Sequence, residues 1–191
     1  MKMISSDSIS DLISPEDRDT SILIQKGRTA AISWIGIARK SSGRVKAYLE
    51  QQGFENSIII QILDSLYEDG YIDDQRIAKR LIRQRQGRQG ESKAALAQRM
   101  RRLGIASEAI ESSMPDAADD LDSASALIIS RFSRQLEMLR QNSDYVNYSE
   151  QGRERIVLMQ KIARFLATRG FGQTTVMQAM RNAGISIDSM E

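Results

Sequence analysis

The sequence predicts an all-α protein built as a tandem array of three three-helix repeats, elongated and curved, with a mobile N-terminal tail. The main observation is a phrase that occurs three times, at residues 45–54, 96–105 and 162–171. Each copy has an apolar residue eight positions before a glycine, another four positions before it, and a hydrophobic residue directly after it. This spacing is typical of a helix that ends in a glycine cap. The chain also has only two prolines, Pro15 and Pro115, so that little interrupts helices between them.

The N-terminal residues 1–26 are expected to form a flexible tail. They are rich in Ser and Asp and contain Pro15. Residues 1–25 carry two basic and five acidic side chains, and such a polar segment has little apolar surface to bury.

The first repeat is expected at residues 27–70. The apolar residues recur at helical spacing around Trp34 and predict a first helix that ends near Ser41; they are Ile32, Ile35, Ile37 and Ala38. A second helix, from about residue 42 to residue 52, contains the first copy of the phrase. Asn56 follows the glycine of that copy and is placed to cap the third helix.

The second repeat is expected at residues 71–115. Asp73 or Asp74 can cap its first helix, and a basic loop with glycines follows at residues 85–90. The second copy of the phrase forms the next helix. Ser107 then stands where the capping Asn of the first repeat stands, so a short third helix should begin there.

The third repeat is expected at residues 116–191. Its acidic start, residues 116–122, suits the positive end of a helix dipole. A loop is expected at residues 141–152, before the helix that carries the third copy of the phrase. Thr174 is expected to begin the last helix.

The composition argues against catalysis. The chain has no cysteine and no histidine, which excludes disulfides, thiol nucleophiles, thiolate or imidazole zinc sites and every Ser-His or Cys-His dyad. The segment 87–93 contains glycines and a lysine but lacks the spacing of a phosphate-binding loop. We therefore expect no catalytic residue, cofactor or metal. No apolar run has membrane-spanning length, and we expect a cytoplasmic protein.

The net charge of +2 conceals strong patterning along the chain. Residues 26–105 contain 16 basic and 8 acidic side chains, a net charge of +8. Residues 106–122 contain six acidic side chains and no basic one, a net charge of −6. A basic middle beside an acidic segment indicates a polyanionic partner, or a protein partner with its own charge pattern.

Several segments resemble one known family. Residues 70–85, which begin Gly-Tyr-Ile-Asp-Asp, together with the phrase at residues 96–105, resemble the central signature of the RecX regulatory proteins. Residues 38–54 are similar to the opening motif of that family, and residues 164–171 to its closing motif. The resemblance covers about residues 30–183 of this chain.

The resemblance implies an all-helical array of three-helix modules in a bacterial cytoplasmic protein, and we expect a monomer. Members of the family bind the RecA recombinase, dock in the groove of its filament on DNA and restrain its ATPase, strand-exchange and co-protease activities. This would place the protein in DNA recombination, repair and the SOS response. Some members also contact DNA. The family is not enzymatic and offers no catalytic residues to carry over.

The positive charge of the chain is concentrated in the second repeat. Three arginines there lie three or four residues apart and can share a helix face. Any one of these cations could be a solvated residue or a local ion-pair partner, as Arg76 beside Asp73 illustrates. As a cluster, we expect them to bind RecA or, more weakly, single- or double-stranded DNA. The expected residues are Arg76, Lys79, Arg80, Arg83, Arg85, Arg88, Lys93, Arg99 and Arg102. The alternative is a nucleic-acid-binding helical module that acts independently of RecA.

Overall fold

The computed structural model describes residues 15–116, 118–141 and 148–185. Every regular element in these residues is helical, and the helices follow one another in three groups of three. The predicted all-α class and the order of three three-helix repeats are therefore confirmed. The elongated and curved shape stays a prediction.

Nine α-helices occur in the described part of the chain. Their bounds are α1 Pro15–Ile35, α2 Ser42–Gln51, α3 Asn56–Glu68, α4 Asp74–Gln84, α5 Lys93–Arg102, α6 Ser107–Ser113, α7 Asp120–Gln141, α8 Tyr148–Ala167 and α9 Gln173–Asn182. Two 3₁₀ turns, Gly87–Gln89 and Met114–Asp116, follow α4 and α6.

The chain divides into two compact units that do not coincide with the three repeats. The first unit contains the described residues up to Asp74 and the segment Leu103–Ala106. The second unit contains Gln75–Arg102 and the described residues from Ser107 onward. A short piece of the second repeat thus belongs to the same unit as the first repeat.

The first unit is held together by the apolar faces of α1, α2 and α3. Leu49, Ile59 and Leu66 are fully buried, and each such aliphatic side chain contributes about 1.5–3 kcal/mol. The Trp34 ring stacks on the ring of Tyr48 with 4.6 Å between their centroids, at the half-buried edge of this core.

The start of α2 contacts distant residues in a region that we call the first junction, made of Ser41–Gly43, Asp74 and Leu103–Ala106. The Ser42 backbone N–H donates to Asp74 Oδ1 at 2.9 Å, and the Ser42 hydroxyl donates to Asp74 Oδ2 at 2.6 Å. The Ala106 N–H donates to the same carboxylate at 2.7 Å. The Gly43 N–H donates to the Gly104 carbonyl at 2.8 Å, so two backbones meet without intervening side chains.

The second unit has its core between α7, α8 and α9. Leu127 and Ile128 on α7 pack with Ile162 and Leu166 on α8 and with Met180 on α9. All five are nearly or fully buried. The shorter helices α4 to α6 bury a smaller apolar set, which includes Ala78, Leu81, Ile82, Leu96, Met100 and Ile110.

The contacts of the first junction recur in a second junction, made of Ser92, Lys93, Asp120, Arg169 and Gly170. Lys93 and Ser42 are equivalent residues, since each lies three positions before the first apolar residue of its phrase copy. The Lys93 N–H donates to Asp120 Oδ1 at 2.7 Å, as Ser42 does to Asp74. The Ser92 N–H donates to the Arg169 carbonyl at 3.0 Å, directly before the phrase glycine. The repeated phrase therefore carries a repeated contact, in which the start of one phrase helix meets the end of the next.

The three phrase glycines have the predicted left-handed backbone, with φ of +84° at Gly53, +73° at Gly104 and +80° at Gly170. Each follows the last turn of its helix and ends it. The interpretation of the phrase as a helix with a glycine cap is confirmed at all three positions.

The N-terminal prediction is wrong for residues 15–26, because α1 begins at Pro15 rather than near residue 27. Proline is tolerated in the first turn of a helix, acidic residues follow it in the sequence, and Ile24 packs against the core of the first unit. Residues 1–14 of the expected tail lie outside the described residues. At its other end α1 stops at Ile35, since Gly36 has φ of +59°, and the Ile37 side chain is fully exposed.

Three further boundaries differ from the prediction. Asn56 is the first residue of α3 rather than its cap, and Glu55 takes the cap position without a side-chain hydrogen bond. The acidic run starts its helix later than expected, where the Asp119 carboxylate accepts the Leu121 N–H at 2.8 Å. The end of the expected loop at 141–152 is helical, because α8 begins at Tyr148. Gly152 lies inside this helix, where a glycine costs only about 1 kcal/mol. Residues 142–147 lie outside the described residues.

Candidate partner-binding surface

Four of the expected cations form one exposed surface on α4, which we call the α4 basic face: Arg76, Lys79, Arg80 and Arg83. At about 100° per residue these positions fall within a sector of about 100°, opposite the buried side of the helix. Asp74 is the only acidic residue of α4, and it is 2% exposed in the first junction. The solvent-facing side of α4 therefore presents four positive charges and no carboxylate from its own helix.

Two other expected residues, Arg85 and Arg99, have an internal partner. The Glu91 carboxylate, with 8% of its side chain exposed, accepts hydrogen bonds from Arg99 Nε at 2.8 Å and Arg99 Nη2 at 2.9 Å. This hydrogen-bonded carboxylate raises the pKa of Arg99 above its ordinary value, more than desolvation lowers it. Arg85 Nε lies 3.9 Å from the same carboxylate. Arg99 thus joins the loop before α5 to that helix, and Arg85 joins the two ends of this loop, which favours a structural role for both.

The remaining expected residues lie apart from the α4 basic face. Arg88 is exposed in the 3₁₀ turn Gly87–Gln89. Lys93 is half-buried at the start of α5, where its backbone belongs to the second junction. Arg102 is exposed in the last turn of α5 beside Arg101.

Sequence reasoning missed one group of cations. Arg131 on α7 and Arg169 after α8 line a cavity together with Arg88. Arg131 lies 43 positions from Arg88 in the sequence, so helical periodicity gave no signal for it. The sequence did contain a signal for Arg169. This residue directly precedes Gly170 in the third copy of the phrase, and its carbonyl accepts a hydrogen bond in the second junction.

These surfaces can bind anions. Guanidinium groups donate in a planar fork that fits carboxylate and phosphate oxygens.

Within residues 15–116, 118–141 and 148–185 there is no group of three or more acidic residues that could hold a metal ion. None of the helices described for this chain is both long enough and apolar enough to cross a membrane.

Comparison with protein families gives a match at the centre of the chain. A family model described as the second three-helix domain of RecX matches residues 73–114. This segment runs from just before α4 to the 3₁₀ turn after α6, and it contains the α4 basic face.

Curated relatives match over a longer part of the chain. The chain is 28% identical over 143 residues to the regulatory protein RecX of Mycobacterium sp. (strain JLS), covering 74% of this chain and 72% of that protein. It is 25% identical over 189 residues to the regulatory protein RecX of Streptococcus pyogenes serotype M2, covering 99% of this chain and 67% of that protein.

Solved structures share the fold. A crystal structure of RecX from Lactobacillus salivarius aligns with a TM-score of 0.58 at 16% identity, over 87% of this chain and 99% of that one. A second crystal structure of a regulatory protein RecX aligns with a TM-score of 0.55 at 14% identity. The central signature, the curated relatives and the three-helix architecture agree, and the chain is similar to the RecX regulatory proteins over most of its length.

Proposed function

We propose that this protein binds in the groove of the RecA filament on DNA and modulates RecA, mainly by inhibiting its ATPase, strand-exchange and co-protease activities. Similarity to the RecX regulatory proteins supports the proposal. The observation that carries it is the α4 basic face, which lies in the segment that the family model matches. We place the protein in the bacterial cytoplasm as a monomer that acts in recombination, repair and the SOS response.

The mechanism is steric and electrostatic occupation of a charged groove. A filament groove on DNA is bounded by protein side chains and by phosphates, and exposed arginines can contact both carboxylates and phosphates. The four cations of the α4 basic face point away from the helix's buried side, so a partner can approach them without unfolding any part of α4. Their attraction would speed association, and the bulk of the helices would exclude other proteins from the groove.

The test is the DNA-dependent ATPase of RecA, measured with increasing amounts of this protein. We expect the intact chain to inhibit, and the double variant Arg80→Ala/Arg83→Ala to require at least about tenfold more protein for the same inhibition, as for the loss of two charged contacts. The matched control is Arg44→Ala/Arg181→Ala, which removes two exposed arginines from α2 and α9. Equal inhibition by both double variants would reject the α4 basic face, and absence of inhibition by the intact chain would reject the proposed function.

The alternative function is nucleic-acid binding without RecA, and the concentration of exposed arginines in the second repeat favours it. Binding to RecA filaments and to naked single-stranded DNA, compared at rising salt, distinguishes the two. Phosphate contacts alone lose affinity steeply as salt rises, with a slope of about 0.7 per phosphate contact on single strands. We expect tighter and less salt-dependent binding to the filament. Equal affinity and equal slope for the two partners would support the alternative.

A further inference from the structure

A cavity of about 370 Å³ in the second unit is lined by three arginines and three other residues. Its lining residues are Arg88, Leu127, Ser130, Arg131, Phe165 and Arg169. Arg88 lies in the 3₁₀ turn after α4, and Leu127, Ser130 and Arg131 lie on α7. Phe165 lies on α8, and Arg169 lies in the turn that follows α8. Three of the six side chains are cationic and none is acidic.

Arg169 is held in place from two sides. Its carbonyl accepts the Ser92 N–H at 3.0 Å in the second junction. Its guanidinium carbon lies 4.2 Å from the centroid of the Phe165 ring, a cation–π distance. Its Nε–H is buried and has no hydrogen-bond partner among the described residues. The junction hydrogen bond and the Phe165 ring therefore preposition this guanidinium at the cavity.

The charges around the cavity are not compensated by the protein. Within the part of the chain that the structure describes, Arg88, Arg131 and Arg169 form no ion pair with a carboxylate. This contrasts with Arg99, whose guanidinium is matched in a bidentate pair by Glu91. Three cations that line one cavity repel one another, and an anion in the cavity would remove that repulsion.

The geometry points to a phosphate group as the ligand, and we propose that this cavity binds a backbone phosphate of single-stranded DNA. Several guanidinium groups around one cavity suit a tetrahedral oxyanion, whereas a carboxylate is satisfied by a single fork, as Glu91 is by Arg99. The Phe165 face that Arg169 covers is not available for base stacking, so the site reads phosphate rather than sequence.

A polynucleotide is favoured over free phosphate by the surroundings. Arg134 is exposed one turn along α7 from Arg131, and Arg88 follows the α4 basic face in the chain. Positive charge thus continues away from the cavity, as a strand with further phosphates requires. This site goes beyond the proposed function, which rests on the α4 basic face, because two of its three arginines lie outside the residues expected from the sequence.

The experiment is fluorescence anisotropy of a labelled oligo(dT) with the full-length chain at several salt concentrations. We expect Arg131→Gln and Arg169→Gln each to weaken binding by about tenfold, and to reduce the salt slope by about 0.7, the value for one lost phosphate contact on a single strand. The control is Arg164→Gln, which removes an exposed arginine of α8 that does not line the cavity. If Arg131→Gln and Arg169→Gln bind oligo(dT) with the same affinity and salt slope as Arg164→Gln, the proposal is overturned.

Two further arms identify the ligand. Arg131 is exposed, so Arg131→Gln should leave the thermal unfolding curve unchanged and gives a valid result even if Arg169→Gln folds poorly. Inorganic phosphate and poly-glutamate serve as competitors. We expect weak competition from both and a rise in affinity with oligo(dT) length. Strong competition by inorganic phosphate with no length dependence would reject the polynucleotide. Poly-glutamate binding that falls in the pocket variants while oligo(dT) binding does not would reject phosphate.

Discussion

At the scale of single residues, the Asp74 carboxylate is the main polar element of the first junction. It is 2% exposed and accepts three hydrogen bonds, two from Ser42 and one from Ala106. The sequence showed only that Asp74 could cap its own helix. Its real partners lie 32 residues away in both directions, and no local pattern encodes a contact of that range.

We expect Asp74→Ala to lower the free energy of unfolding by about 3 kcal/mol. The Ser42 N–H and the Ala106 N–H would lose their shared acceptor, and an unsatisfied buried donor costs about 1–3 kcal/mol. Urea unfolding followed by circular dichroism measures the change. Asp74→Asn keeps the size of the side chain and one acceptor oxygen, so its loss should be smaller than that of alanine. A change below about 0.5 kcal/mol in both variants would show that the junction adds little to stability.

Also at the scale of residues, the arginines of the second repeat divide into a structural group and a proposed partner-binding group. The free energy of unfolding distinguishes the two groups. Arg99→Gln should lower the free energy of unfolding by about 1–2 kcal/mol, because the buried Glu91 carboxylate loses its bidentate partner. Arg80→Gln, on the α4 basic face, should change it by less than about 0.5 kcal/mol. Inhibition of the RecA ATPase should show the opposite order. The same order in both assays would contradict the division of roles.

At the scale of helices, the periodicity of the sequence predicted features that depend on a single helix. It did not predict features that depend on contacts between distant segments. The three-to-four spacing of Arg76, Arg80 and Arg83 predicted a shared face, and all three are exposed on it. The same reasoning counted Arg85 and Arg99 among the partner-binding residues. It could not show their ion pairs with Glu91, because these form only when α5 packs beside the preceding loop. Helix ends were predicted best at the three phrase glycines, whereas the end of α1 before the left-handed Gly36 was missed. Helix starts were predicted worst, because proline and acidic residues allow several registers.

The phrase glycines allow a controlled test of helix ends. Gly104 and Gly53 both have positive φ, but a Cβ added at Gly104 would lie 3.1 Å from the Arg44 nitrogen, whereas at Gly53 it would meet nothing within 4 Å. We expect Gly53→Ala to cost about 1 kcal/mol from backbone strain alone. Gly104→Ala should cost about 1–3 kcal/mol more, because two backbones must separate.

Chemical denaturation of the two alanine variants measures the difference directly. Gly104→Val, with a β-branched side chain at positive φ, should impair folding further. Equal losses for Gly53→Ala and Gly104→Ala would mean that strain, not the close approach of the chains in the first junction, determines the need for glycine.

At the scale of the whole molecule, the path of the chain couples repeats that the sequence presents as separate blocks. The described residues up to Asp74 form one unit, but that unit is completed by Leu103–Ala106, which the chain reaches only after passing through α4 and α5 of the second unit. The glycine spacing predicted the number of repeats and their order. It could not predict this interleaving, because the two junctions consist of hydrogen bonds between backbone and side chains far apart in sequence.

The interleaving predicts that the first repeat is weaker alone than in the intact chain. A fragment of residues 1–84 keeps α1 to α3 and Asp74 but lacks the Gly104 carbonyl and the Ala106 N–H of the first junction. With the Ser41–Leu103 bond, three hydrogen bonds are lost, worth together about 2–4 kcal/mol. Trp34, the only tryptophan, stacks on Tyr48 in this unit, so its fluorescence reports the unfolding of this unit in both proteins.

We expect the fluorescence transition of the 1–84 fragment in urea to lie at lower denaturant than that of the intact chain. The intact chain with Gly104→Ala should unfold between the two, since it retains the Ala106 bond to Asp74 but strains the contact of Gly43 with Gly104. This ordering follows only if Leu103–Ala106 stabilises the first repeat. Coincident transitions for the fragment and the intact chain would mean that α1, α2 and α3 supply all of that unit's stability through their own core.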